Sequence, residues 1–197
     1  MPTFSGLLAL AVGSGINLYA TILTVGLSIR FGWLTNLPDD LRILAHPLVL
    51  GVAGFFYAAE FFADKIPFVT PIWDGFHTFI RPLGAALLAA GATAHLTPEA
   101  RIAAILLSGT VALGTHSAKM GARLAAHTVP DPVTHSVISI AEDVGVVALV
   151  TLAWQHPWVA LPVLVAALVL LAFLINTIIR TVRRIPGRVR TLWSRTE

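Results

Sequence analysis

The chain has 197 residues, of which 56% are hydrophobic and only 12% charged, with a mean hydropathy of +0.82 and a formal charge of +3. Soluble domains carry about 25% charged residues, so this composition excludes an ordinary soluble enzyme and indicates an integral membrane protein. The absence of cysteine excludes disulfides and thiolate metal sites and leaves the redox compartment open.

A helix needs about 20 apolar residues to cross a bilayer. The first such stretch, 4–29, follows an N-terminus without basic residues and is expected to be a retained span rather than a cleaved signal. Ser14, Asn17, Thr21, Thr24 and Ser28 recur every three or four residues and draw one polar stripe along it. Such stripes act as hydrogen-bonding glue between membrane helices. Gly13-Ser14-Gly15 either admits a close neighbouring helix or loosens this one and presents backbone groups to a ligand.

The second stretch, 47–63, follows the turn Asn36-Leu37-Pro38-Asp39-Asp40, and His46, Tyr57, Glu60 and Asp64 share a face of it. Acids in hydrocarbon are costly and mark ion, proton or substrate paths. Glu60 lies one turn deeper than Asp64 and is the stronger candidate for taking up a proton. The segment 65–81 is too long for a turn, too apolar for a solvated loop and too rich in proline for a full span. It is expected to form a re-entrant or interfacial segment, with Asp74 and His77 on one helical face; an amphipathic surface helix is the alternative.

A third, Ala/Gly-rich span is expected at 82–96 and a fourth at 102–118, where Gly109, Ala112, His116, Lys119 and Arg123 share a face. In the fifth, 133–153, Asp131, His135, Ser139 and Glu142 align, and the adjacent Asp143 must point elsewhere. The sixth, 158–179, is followed by eighteen residues that hold six of the thirteen basic residues. The expected architecture is an all-α integral membrane domain over 1–180. It has six transmembrane helices in two inverted three-helix halves, about 4–97 and 101–180, followed by a basic cytoplasmic tail at 181–197. The positive-inside rule then places both termini in the cytoplasm.

Three stretches are distinctive: Ser14-Gly15-Ile16-Asn17-Leu18-Tyr19-Ala20-Thr21, Glu60-Phe61-Phe62-Ala63-Asp64-Lys65-Ile66-Pro67, and Trp73-Asp74 followed by His77-Thr78-Phe79-Ile80-Arg81-Pro82. Over roughly residues 5–180 the chain resembles a bacterial membrane family known as domain of unknown function 4126. The resemblance implies a compact, multi-pass protein of the bacterial cytoplasmic (inner) membrane. It implies no activity, substrate or catalytic residue.

From the residues themselves, the leading expectation is a small secondary transporter or channel for an ion or small solute, without enzyme activity or cofactor. Glu60 and Glu142 would be its proton- or cation-responsive groups, with His116 and Lys119 as charge partners and Asp143 on the adjoining face. Ser14, Asn17 and Tyr19 would line the site, with Asp64, Asp74 and His77 on its cytoplasmic side. No metal is expected: there is no His-Glu-x-x-His motif, and Pro130 and Pro132 interrupt the helix that would align His127, Asp131 and His135. There is no Gly-x-Ser-x-Gly nucleophile elbow either. Expected partners are the lipid bilayer, the transported species, a second copy in a homodimer, and anionic lipid at the arginine-rich tail. Nucleic acid is not expected, because no aromatic platform accompanies the arginines. The competing class is a non-transporting scaffold or a lipid-interacting, flippase-like protein.

Overall fold

Proline and turn residues divide the chain into helices. These are α1 (Phe4–Arg30), a 3-10 helix (Asp39–Ala45), α2 (Pro47–Ala63), α3 (Thr70–Ala92), α4 (Pro98–Ala126), α5 (Pro132–Gln155) and α6 (Pro157–Trp193). The structure, a computed structural model, describes residues 4–34, 37–64, 66, 69–126 and 132–193, with the side chains of 124–135, 178–179 and 181–193 outside that description. No strand occurs among the described residues. His127 and Asp131, and the side chains of His135 and of the basic tail, lie outside them.

The distribution of side chains is that of a membrane protein. Leu48, Phe55, Phe79, Leu106, Trp158 and Val169 are exposed, while Glu60, Arg81 and His116 are completely buried. Water would reverse that arrangement; lipid favours it. By length and composition three helical stretches can cross a membrane: Phe4–Arg30, Ser136–Gln155 and Pro157–Thr177. The 3-10 helix and α2, bent by 64° at His46, make a fourth if taken as one span.

The first of these is not a straight rod. Asn17 has extended backbone angles (φ −149°, ψ 102°) in the middle of α1. A methyl group on Gly13 would sit 2.8 Å from Thr21 Oγ1, although residues eight apart in a straight helix are separated by about 12 Å. Ser5 Oγ donates to the Ala153 carbonyl near the end of α5, and Ser28, from the other end of α1, lines a cavity with Gln155. Both ends of α1 therefore lie at the Gln155 end of the bundle, and its two arms (4–16 and 18–30) form a helical hairpin with its vertex at Asn17. Each arm is about 20 Å long, against a hydrocarbon core of about 30 Å. The vertex consequently stands inside the bundle.

The stretch expected as a first crossing at 4–29 is thus a helix broken at Asn17, and its packing is not repeated in the second half. Within the described residues α1 packs against α5, but α2 and α4, which an inverted relation would pair in the same way, are not among the closely packed pairs. The expectation for 65–81 changes as well. Residues 70–81 are the first half of a continuous α3 that starts with Pro71 in its first turn and runs through Pro82. Proline is tolerated in a first turn because its missing N–H has no helical acceptor there. Thr70, Asp74, His77 and Arg81, spaced four, three and four apart, form the buried stripe of this half.

Candidate functional site

The break in α1 creates the site's chemistry. Beyond Gly13, the carbonyls of the first arm lose their partners one turn ahead, and lipid offers no water to replace them. Two basic side chains from other helices do so instead. Arg81 on α3 donates from a terminal nitrogen to the Gly15 carbonyl (3.0 Å), and Lys119 Nζ on α4 donates to the Ile16 carbonyl (2.8 Å). The second arm is capped by Asn17, whose Oδ1 accepts from the Ala20 N–H (2.9 Å). The two half-helix ends have opposite dipoles, so the vertex presents partial negative charge to Arg81 and Lys119 and partial positive charge beside Asn17. Gly15 allows this meeting, since a methyl group there would sit 2.5 Å from the Ala112 carbonyl oxygen of α4.

From the vertex a network of buried ions extends toward the Asp64 end of the bundle. Arg81 pairs with Glu60 Oε1 at 2.6 Å, and both are completely buried. Lys119 holds Glu142 at 2.8 Å and Glu60 at 3.7 Å. Arg123 grips Asp64 with both terminal nitrogens (2.8 and 2.6 Å) and reaches Glu142 at 3.3 Å and Asp74 at 3.5 Å. Ser139 adds a hydrogen bond to Asp64 (3.2 Å). His116, Lys119 and Arg123 occupy one face of α4, so they meet α2, α3 and α5 together.

Hydrogen-bond logic fixes the histidines. Arginine has no acceptor, so His116 Nδ1, 2.7 Å from Arg81, must accept, which leaves its proton on Nε2 to donate to the Asp74 carbonyl (3.1 Å). His77 Nδ1 donates to the Trp73 carbonyl (2.8 Å), and its Nε2 lies 3.1 Å from the Tyr19 hydroxyl. The His116 ring is neutral in this arrangement. Among the described residues the network sets four acids, Glu60, Asp64, Asp74 and Glu142, against three bases, Arg81, Lys119 and Arg123. Glu60 Oε2 and Asp74 Oδ1 are buried without a hydrogen-bond partner among the described residues.

Asp143 stands apart. Its two oxygens accept from Asn17 Nδ2 (2.9 Å) and the Tyr57 hydroxyl (2.8 Å). It lies in the lining of a cavity of about 730 Å³ that runs between the second arm of α1 and α5 to Trp33 and Gln155. A smaller cavity, about 260 Å³, lies between the first arm of α1, α4 and α6 and reaches Lys119 and Glu142. Consecutive acids on α5 therefore face different spaces, as the helical geometry requires.

The residues given site roles from the sequence fall into three groups around this vertex. Glu60, Asp64, Asp74, Glu142, His116 and Lys119 belong to the ion network. Asn17 and Asp143 form the adjoining pair, and Tyr19 with His77 a third contact. Ser14 is completely buried beside the break, its hydroxyl without a partner among the described residues. The expected Glu60–His116 contact is mediated by Arg81. Sequence reasoning did not assign site roles to Arg81, Arg123, Tyr57 or Ser139. The heptad spacing of Asp74 and Arg81 carried the signal for the first, but it was hidden by reading Pro82 as a helix start. Among the described residues no cluster of His, Asp and Glu has the arrangement of a metal site.

A family model described as a domain of unknown function (DUF4126) matches residues 5–177. No curated protein matches the chain, and no solved structure does.

Proposed function

We propose that this chain, which belongs to the DUF4126 family, is a small transporter or channel for an ion or small solute, with its intramembrane carboxylates as the proton- or cation-responsive groups. The observation that carries the reading is the hairpin α1, whose half-helix ends meet inside the bundle against buried ions. Discontinuous helices with polar ends at mid-membrane are how many transporters bind substrate and coupling ions. A scaffold needs no such arrangement, because buried ion pairs are weak sources of stability. The surplus of one acid over the bases leaves the network suited to one proton or one monovalent cation. Taking up or releasing that charge would alter the hold of Arg81 and Lys119 on the vertex.

The positive-inside rule, applied to the basic tail, supports a cytoplasmic Asp64 end. The larger cavity then belongs to the outer side and Asp143 to its inner limit. With α1 re-entrant and α2 to α6 each taken as a crossing, the termini would lie on opposite sides, where the sequence reading has six crossings and both termini cytoplasmic.

Flux in proteoliposomes tests the proposal. A pH-dependent cation or proton leak is expected from the native chain. It should fall at least about tenfold in Glu60→Gln and Glu142→Gln, which keep side-chain shape but remove the charge that Arg81, Lys119 and Arg123 answer. Flux unchanged in both folded variants contradicts it.

A further inference from the structure

We propose that the cavity ending at Asp143 binds a lipophilic organic monocation, an amine or onium group carried on an apolar body, with the charge placed against the Asp143 carboxylate. The proposal builds on the transport reading by naming the ligand class.

Among the described acids of the bundle interior, Asp143 alone has no basic partner within 4.0 Å. Its neighbour Glu142 is neutralised by Lys119 and Arg123, and Glu60 and Asp64 by arginine. Asn17 and Tyr57 orient the carboxylate through neutral donors, one to each oxygen, and leave its charge uncompensated. Asp143 is half-buried and borders the cavity, so its charge is accessible from that space.

The remaining walls determine what accompanies the charge. Leu23, Leu27, Val144 and Val147 help make the lining mainly apolar, interrupted by Thr24, Ser28, Thr151 and Gln155, with Trp33 toward the outer end. A hydrated inorganic cation would meet mainly apolar walls, with too few oxygens beside Asp143 to replace its water. An organic cation sheds little hydration, buries its body against those residues, and can lay its charge near the ring of Tyr57. The cavity volume, about 730 Å³, falls within the roughly 300–1,000 Å³ typical of small-molecule sites. An apolar pocket with one charge and two orienting donors is selective for charge sign and tolerant of body shape.

The probe is tetraphenylphosphonium, with the near-isosteric anion tetraphenylborate as control, measured by equilibrium binding to the full chain in detergent. Saturable binding of the cation and not of the anion is expected. Affinity should fall at least about tenfold in Asp143→Asn, be largely kept in Asp143→Glu, and be lost in Val147→Trp, which fills the cavity without touching the charge. Equal cation binding by the native chain and Asp143→Asn, or equal binding of the anion, overturns the proposal. Proton or inorganic-cation flux from a native chain that does not bind the probe overturns this ligand class and leaves the transport reading intact. Asp143-dependent binding without transport of the probe supports the site and counts against transport.

Discussion

Replacing Arg81 with methionine should destabilise the protein by about 3–5 kcal/mol, the usual cost of removing one partner from a buried ion pair. Arg81 is completely buried and serves three acceptors on three helices: Glu60 on α2, the Gly15 carbonyl at the break in α1, and His116 on α4. Methionine preserves much of the volume and removes every donor. Glu60 would be left with Lys119 at 3.7 Å as its nearest base, and the Gly15 carbonyl would lose its cation. Thermal unfolding in detergent should record a drop of roughly 10 °C. Adding Glu60→Gln should recover at least about 1 kcal/mol, because the stranded charge is then gone. A single variant within about 1 kcal/mol of the native chain would show that Arg81 does not hold the vertex.

Gly15→Ala should be nearly as damaging, for a steric reason. Its new methyl group would lie 2.5 Å from the Ala112 oxygen and 2.6 Å from Thr115 Cβ, so the backbone of α4 or of α1 must move. Overpacking of this kind costs about 1–3 kcal/mol, and more when backbone is the obstacle. Two other helical glycines supply the contrast. At Gly114 a methyl group would meet Ile175 and Leu171 at 3.7 Å, and at Gly145 it would meet nothing within 4 Å. Alanine at either position should be neutral or stabilising by up to about 1 kcal/mol, since it favours the helix. If melting temperatures place Gly15→Ala alongside Gly114→Ala, the close approach is not a constraint on this fold.

That contrast also shows where the sequence was legible. Gly13-Ser14-Gly15 and Gly114-Thr115-His116 look alike in the sequence, each a small-residue run inside an apolar helix. In the fold one segment ends a half-helix against α4, while Gly114 makes ordinary contact with α6. Turn chemistry located most helix boundaries well, and 47–63 coincides with α2. Pro71 and Pro82 misled because proline reads as a breaker, whereas here one sits in a first turn and the other inside a helix carried by its neighbours. The fold-back at Asn17 left one mark, Gly13-Ser14-Gly15, which reads equally as a close helix approach or as a loosened helix. Both arms of α1 are apolar with one polar stripe, and a polar residue inside such a stripe reads as glue.

The candidate acids were legible because charge in an apolar run is conspicuous. Their partners were not, since pairing between helices depends on which faces meet. Arg81 lies 21 positions from Glu60, and Asn17 lies 126 from Asp143. Spacing on one helix, such as His116, Lys119 and Arg123, predicts a common face but not the acids opposite it.

Everything proposed for the site depends on α1 turning back at Asn17, and labelling from the two sides of the membrane tests this most directly. The chain has no cysteine, so Phe4→Cys, His156→Cys and Arg180→Cys each carry a single reactive thiol, all at exposed positions. A membrane-impermeant maleimide applied to right-side-out and to inverted vesicles should modify positions 4 and 156 from the same side and position 180 from the other. Modification of positions 4 and 180 from one side, with 156 opposite, would mean that α1 crosses the membrane as a straight span and that no half-helix vertex exists for the buried ions to hold.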